Sequence, residues 1–412
     1  MNRRVVITGC AAITPIGNTR AEIVRHLTEG ISGVRPMRAD GLLTEHIHSG
    51  VFGAVDYPID YDFKRQSRKT MGPVAYYACQ VAKEALQQSG LDEAFITSGR
   101  LGVAFGSTHG SPTVQRDIYR TFFDRDAKSF GGIGAVEYLK SMVHTTAVNI
   151  TKMFGITGRV ISSSTACTTS SQSIGYGYEA VKFGLQDAML CGGADEYDTT
   201  TVAVFDNLLA CSTAFNDTPH RTPRPFDVQR DGLVVGEGGG ALLLEDYDHA
   251  RRRGAVILGE VLGFGCNNNG GDLILPNPDG IKKTLRLGLD SARCDAGRID
   301  FVSAHATATK MGDVMEAQAI AAVYGDKPLV TGLKGYMGHT MGSCGAIETI
   351  LTLHMMAEGF VAPTLNLEAV DERCAMIRHT RQVMETPVAL AAIQNFAFGG
   401  VNTCLIIGRE GA

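Results

Sequence analysis

Four short segments carry residue types that can do chemistry. The first is Ser162–Ser170, SSSTACTTS, which places Cys167 just before a helix rich in small residues starting near Ser170. A cysteine at a strand-to-helix turn sits where unpaired backbone N–H groups and the helix dipole favour a thiolate. The same run also suits a buried cysteine among Ser/Thr capping residues. The second is Ser303–Thr309, SAHATAT, at the end of a strand candidate. It puts His305 on the loop side, where ligands of open α/β sheets bind, although a lone histidine there also serves as a hydrogen-bonded structural residue. The third, Lys334–Gly342, reads KGYMGHTMG and leads through Ser343 and Cys344 into another helix. Glycines around His339 allow close backbone approach; the Gly-Lys-Ser/Thr order of a phosphate loop is missing. The fourth, Asn395–Asn402, NFAFGGVN, is a Gly turn between strand-like runs. Each segment alone is weak. One cysteine, two histidines and a Gly-rich turn together are specific.

The elements that must position them alternate between strand and helix. Short apolar runs at 5–8, 101–105, 188–192, 240–244, 256–264, 301–304, 391–394 and 403–407 are continuous rather than alternating in hydrophobicity. That pattern fits strands buried on both faces. Helices are expected near 73–89, 133–153, 170–184, 279–293, 313–324 and 345–358, which gives an α/β architecture. No Pro/Ser-rich linker or long charge run divides the chain. The stretch 266–280, CNNNGGDLILPNPDG, reads as a long surface loop and a candidate pocket wall.

Composition narrows the partners. Among 412 residues, Lys+Arg 38 against Asp+Glu 43 give a net charge of −5. There is no global basic field for nucleic acid. None of the 10 cysteines forms a C-x-x-C pair, so zinc-ribbon and thioredoxin spacings are missing and most cysteines are expected to be reduced packing residues. No apolar run reaches the ~18 residues a membrane helix needs. The N-terminal Arg3-Arg4 and apolar run superficially imitate a signal peptide but read better as a first strand and turn. A cytoplasmic protein without a membrane segment is expected.

In their order along the chain, these segments resemble the elongating β-ketoacyl-[acyl carrier protein] synthases of the thiolase-like superfamily. The opening Arg3–Gly9, the stretch Arg224-Pro225-Phe226-Asp227 through Arg230-Asp231-Gly232, and Gly236-Glu237-Gly238 carry the likeness across the whole chain. The resemblance implies a five-layered αβαβα fold of two similar halves, 1–250 with the nucleophile and 251–412 with both histidines. It further implies a dimer, either of two copies or with a ketosynthase-like paralogue. The reaction implied is decarboxylating Claisen condensation of an acyl chain on Cys167 with malonyl-[acyl carrier protein], with no cofactor and no metal.

The same resemblance assigns roles residue by residue. Cys167 matches the nucleophile, and the backbone N–H groups of Cys167 and Phe398 match the oxyanion hole, Phe398 also matching a gate to the acyl pocket. His305 and His339 match the two histidines that serve decarboxylation and condensation. Lys334, Glu316 and Glu348 match charged positions behind them, expected to form a fixed ionic network. Thr307 and Thr309 match contacts to the phosphopantetheine arm of the carrier protein. Lys64, Arg65, Arg68 and Lys69 form a basic patch suited to an acidic carrier, or equally a solvated face. Ala306, Lys310 and Ala397 depart from the usual Gly, Pro and Gly. His109 stands where an aliphatic acyl-pocket residue is common, which suggests a polar, aromatic or polyene chain. Two related readings are disfavoured. A degradative thiolase typically uses a second catalytic cysteine, and Cys404 runs into an apolar strand; a chain-length factor lacks the nucleophile.

Overall fold

The computed structural model describes residues 2–38, 46–56, 63–126, 129 and 133–412. Its two halves repeat one strand arrangement. In the first half the spatial order is Val5–Ile13, Gly238–Asp246, Ala188–Asp195, Leu101–Gly106 and Val160–Ile161. In chain order these are the first, fifth, fourth, second and third strands. The second half runs Gly259–Asn268, Val401–Gly408, Leu390–Phe396, Phe301–Ser303 and Leu329–Thr331, the same permutation. The pairing sense repeats too: two antiparallel junctions, then two parallel ones. The halves join where Val5–Ile7 pairs antiparallel with Gly259–Val261. The duplication is diverged in residues but kept in topology.

Each half places a helix between its third and fourth strands, Thr169–Lys182 and Cys344–Glu358. Both are buried around nearly their whole circumference, as expected only for helices with sheet on two sides. Small residues make this possible: a Cβ on Gly345 would overlap the Ser171 hydroxyl, and one on Gly175 would overlap the Phe264 ring. Pro73–Ser89 and Thr145–Phe154 cover the outer face of the first half. Pro278–Ala292 and Gly312–Tyr324 cover that of the second. The result is helix, sheet, helix, sheet, helix: the five layers expected.

Three local expectations need correction. The first strand runs on to Ile13, because Thr8 and Gly9 form a bulge in its pairing rather than an end. The single helix expected at 133–153 is two, Ala135–Ser141 and Thr145–Phe154, with Met142 extended between them where Gly110 packs on the carbonyls of Ser141 and Met142. Cys266–Asn268 belong to a strand, paired with Val401–Thr403, so the loop is shorter than expected. Among the described residues no helix is long and apolar enough to cross a membrane.

Candidate active site

Cys167 lies on a tight turn between Val160–Ile161 and the first central helix. Ala166, just before it, has φ 49°, a left-handed conformation that costs a non-glycine residue ~1 kcal/mol. The turn is closed by Thr168 N–H to Thr165 O and Thr169 N–H to Ala166 O. The sulfur is therefore aimed away from the helix axis toward the cavity that Cys167 lines. Burial pushes its thiol pKa up to about 12, while Lys334 and the backbone N–H groups of Cys167 and Phe398 pull it down. The helix terminus does not by itself make a thiolate here: the resting nucleophile is a thiol. Those two amides act on the sulfur, which puts two backbone donors beside the nucleophile.

His339 follows Gly338, whose φ of 72° lets the chain turn against Val234. Its Nε2 is 2.9 Å from the Cys167 sulfur, whereas its buried Nδ1 has no partner among the described residues. His305 stands just past the strand Phe301–Ser303, its ring 5.1 Å from that of His339 and perpendicular to it. One ligand atom from each of Cys167, His305 and His339 lies within 4.8 Å of the others. Burial, then the Lys334 charge, holds both imidazoles well below their ordinary pKa. Both are neutral at pH 7.

The charged residues behind them divide into two devices. Lys334 Nζ bonds Glu348 Oε1 at 2.5 Å, both side chains fully buried. Burial alone would lower the lysine, but Glu348 outweighs it and keeps the ammonium charged. Glu316, from the helix Gly312–Tyr324, instead accepts the backbone N–H groups of His305 and Ala306, each at 2.7 Å. It clamps the histidine loop, including Ala306 at φ 34°. Burial raises Glu316 to about 8 from an ordinary 4.5, so the fold binds this proton more tightly than the unfolded chain. That stabilisation is complete below about pH 4.5 and is lost as pH rises through 8. The expected result is a fall in the thermal unfolding midpoint between pH 7 and 9 that is smaller in Glu316→Gln, measured by circular dichroism.

The cavity above the sulfur measures about 270 Å³. Thr307 and Thr309 line it, their hydroxyls 3.2 Å apart. Arg230 fixes this loop by donating to the carbonyls of Thr309 and Lys310, which explains the Arg-Asp-Gly stretch seen in the sequence. Phe398 stands half exposed at the rim, stacked on Phe205 with ring centroids 5.7 Å apart. Ile274, Leu275 and Pro276 of the Asn-rich loop wall the cavity. That loop is tied to the Phe398 turn by Gly399 N–H to Leu273 O.

His109 stands apart from this cavity, although burial lowers its imidazole pKa. Part of the residue stays exposed. Gly110, at φ 75°, turns the chain there, and it is the preceding Thr108 that reaches inward. Thr108 bonds Asp195 through its N–H and hydroxyl, and Asp195 also accepts the Gly342 N–H at 2.8 Å. This buried carboxyl, raised to about 7 by burial, ties the 341–343 turn to a strand end of the first half. Sequence reasoning missed it, although an acidic pair, Asp195-Glu196, closing an apolar run was a visible signal. Lys64, Arg65 and Lys69 are exposed around the short helix Arg65–Arg68, and Arg68 is partly covered. Lys152 joins them, bonding the Thr70 hydroxyl at 2.9 Å.

Residues 2–250 match the family described as Beta-ketoacyl synthase, N-terminal domain, and residues 258–368 match Beta-ketoacyl synthase, C-terminal domain. The chain is 32% identical over 409 residues to 3-oxoacyl-[acyl-carrier-protein] synthase 1 of Escherichia coli K12, covering 99% of each. The structure matches that of a beta-ketoacyl synthase from Burkholderia phymatum STM815 with TM-score 0.95 and 41% identity, covering 99% of each chain. It also matches the ishigamide ketosynthase/chain length factor with TM-score 0.91, 30% identity and full coverage of both. Geometry, motifs and full-length similarity agree: this chain belongs to the beta-ketoacyl synthase family.

Proposed function

We propose that the protein condenses an acyl chain held on Cys167 with malonyl-[acyl carrier protein], releasing CO₂ and forming 3-oxoacyl-[acyl carrier protein]. The observation that carries this reading is the sulfur 2.9 Å from a neutral imidazole, with two backbone amides on it and a second neutral imidazole beside the first. In the first half-reaction the thiol proton passes to His339 Nε2 as sulfur attacks the carrier thioester. The amides of Cys167 and Phe398 hold the oxyanion, and the proton leaves with the carrier thiol. In the second, loss of CO₂ from the malonyl thioester leaves an enolate whose oxygen takes hydrogen bonds from the histidines. The enolate carbon then attacks the Cys167 thioester and expels the thiolate, which takes one proton from solvent through His339 Nε2.

Thr307 and Thr309 hold the phosphopantetheine arm, and Phe398 gates the acyl chain. The nucleophile comes from 1–250 and both histidines from 251–412, in a cytoplasmic enzyme. The test is incubation with malonyl-carrier and a panel of acyl-carriers, following CO₂ and product mass. CO₂ without an elongated product, or neither, sinks the reading. The panel includes unsaturated and aromatic acyl chains, because His109 suggests a polar, aromatic or polyene substrate.

The carrier docks on Lys64, Arg65, Arg68, Lys69 and Lys152. Charge reversal in Lys64→Glu/Lys69→Glu is expected to raise KM for acyl-carrier about tenfold at low salt with kcat unchanged, the difference shrinking at high salt. Steady-state kinetics at two ionic strengths checks it.

A second reading makes the chain the active half of a ketosynthase/chain-length-factor heterodimer. The likeness to the ishigamide pair favours it; the apolar face on the helices Pro112–Phe123 and Ala135–Ser141, which exposes Tyr119, Phe123, Tyr138 and Leu139, would meet that partner. In the leading reading that face meets a second copy. Co-purification and intact mass separate the two.

A further inference from the structure

Asn395 belongs to no role assigned above, yet its buried side chain meets Ser171, His305, Cys344 and Glu348 behind the site. Its Oδ1 accepts from the Ser171 hydroxyl, one turn beyond Cys167 on the first central helix. Its Nδ2 donates to Glu348 Oε2 at 2.7 Å, and lies 3.5 Å from both His305 Nδ1 and Cys344 Sγ. The orientation of this amide is set by chemistry. Glu348 gives its other oxygen to the Lys334 ammonium, so a flipped Asn395 would press an acceptor against a carboxylate. The NH₂ end therefore faces Glu348. Its first hydrogen serves that carboxylate. Its second, fixed in the amide plane, is left for the side occupied by His305 Nδ1 and the thiol of Cys344.

We propose that Asn395 is a positioning residue that sets the tautomer of His305: by offering N–H to Nδ1 it keeps that nitrogen bare and the proton on Nε2. A neutral imidazole carries one proton, and only the nitrogen that holds it donates. With Nδ1 turned to Asn395, Nε2–H is the donor left for the cavity, where the enolate oxygen develops its charge. The two histidines then differ in kind. Among the described residues His339 has no partner at Nδ1, so its proton moves with the demands of the sulfur; His305 is held as a permanent donor. The low proton affinity of His305 supports this, because burial and Lys334 keep the ring neutral. This inference rests on the condensation reading for its chemical use, but the tautomer itself is measurable without substrate.

The full chain labelled with ¹⁵N-histidine is compared as wild type, Asn395→Leu and Asn395→Asp, with His305→Gln to assign the resonances. Wild type is expected to show a protonated Nε2 and a bare Nδ1 at His305. In Asn395→Asp an oxygen replaces Nδ2: its hydrogen serves Glu348 and its lone pair faces Nδ1, so the protonation reverses. In Asn395→Leu the preference is lost. Decarboxylation of malonyl-carrier is expected to fall at least about tenfold further than acyl loading of Cys167 in both variants. A protonated Nδ1 in wild type, one pattern shared by all three proteins, or an equal fall in both half-reactions would overturn the assignment. If Asn395→Leu does not fold, the reversal in Asn395→Asp decides alone. Wild type that releases no CO₂ from malonyl-carrier defeats the condensation reading instead, and leaves the tautomer result standing.

Discussion

Cys167→Ala is expected to lose acyl loading and condensation by at least about 10⁴-fold, the scale of removing a catalytic nucleophile. The protein should stay folded. The side chain is small and buried, and among the described residues its sulfur makes one side-chain bond, to His339 Nε2, so the cost is about 1 kcal/mol. CO₂ release from malonyl-carrier is expected to persist, because that step needs donors on the thioester oxygen and no thiolate. His305, Thr307, Thr309 and the amide of Phe398 are all still in place. Intact mass after incubation with acyl-carrier, together with trapped CO₂, reads both half-reactions. An acylated Cys167→Ala protein would show that another nucleophile is used, and Cys344, whose Sγ is 3.2 Å from the Cys167 carbonyl, would be the one to examine.

The largest stability effect is expected at Lys334. Its ammonium and Glu348 are fully buried partners. Truncating one leaves the other as an uncompensated charge, so Lys334→Met should destabilise by about 3–5 kcal/mol. It should also inactivate the enzyme, since Lys334 is the largest influence lowering the thiol pKa of Cys167 and helps keep both histidines neutral. The double variant Lys334→Met/Glu348→Leu removes the orphaned carboxyl and is expected to recover most of the stability without the activity. Denaturant unfolding of both singles and the double forms the cycle that measures the coupling. If the double variant is as unstable as Lys334→Met, packing rather than charge carries the effect.

Much of the site was legible because each reactive residue is embedded in its own local device. Cys167 precedes a helix that only small residues could bring into the centre. Gly338 beside His339, and Gly399 and Gly400 beside Phe398, mark positive-φ turns that read as such from residue type alone. Thr307 and Thr309 follow a strand end. The layered α/β class followed equally from continuous apolar strands and intervening helices.

What stayed hidden depends on contacts between distant segments. Asp195 reaches the turn after His339 across 147 positions of chain, and Asn395 meets Ser171 across 224. No local pattern encodes such meetings; they exist because two diverged halves pack their central helices against each other. Glu316 read as part of a charge network and does feel Lys334, but that it also accepts the amides of His305 and Ala306 was not legible. Gly110 turns the chain so that Thr108 faces Asp195, a contact no residue pattern announces. Residue order alone determined which groups could react and on what kind of fold. Only the tertiary structure decided which way each buried polar group faces, because in a desolvated core every donor and acceptor must find its partner wherever the packing of the two halves puts one.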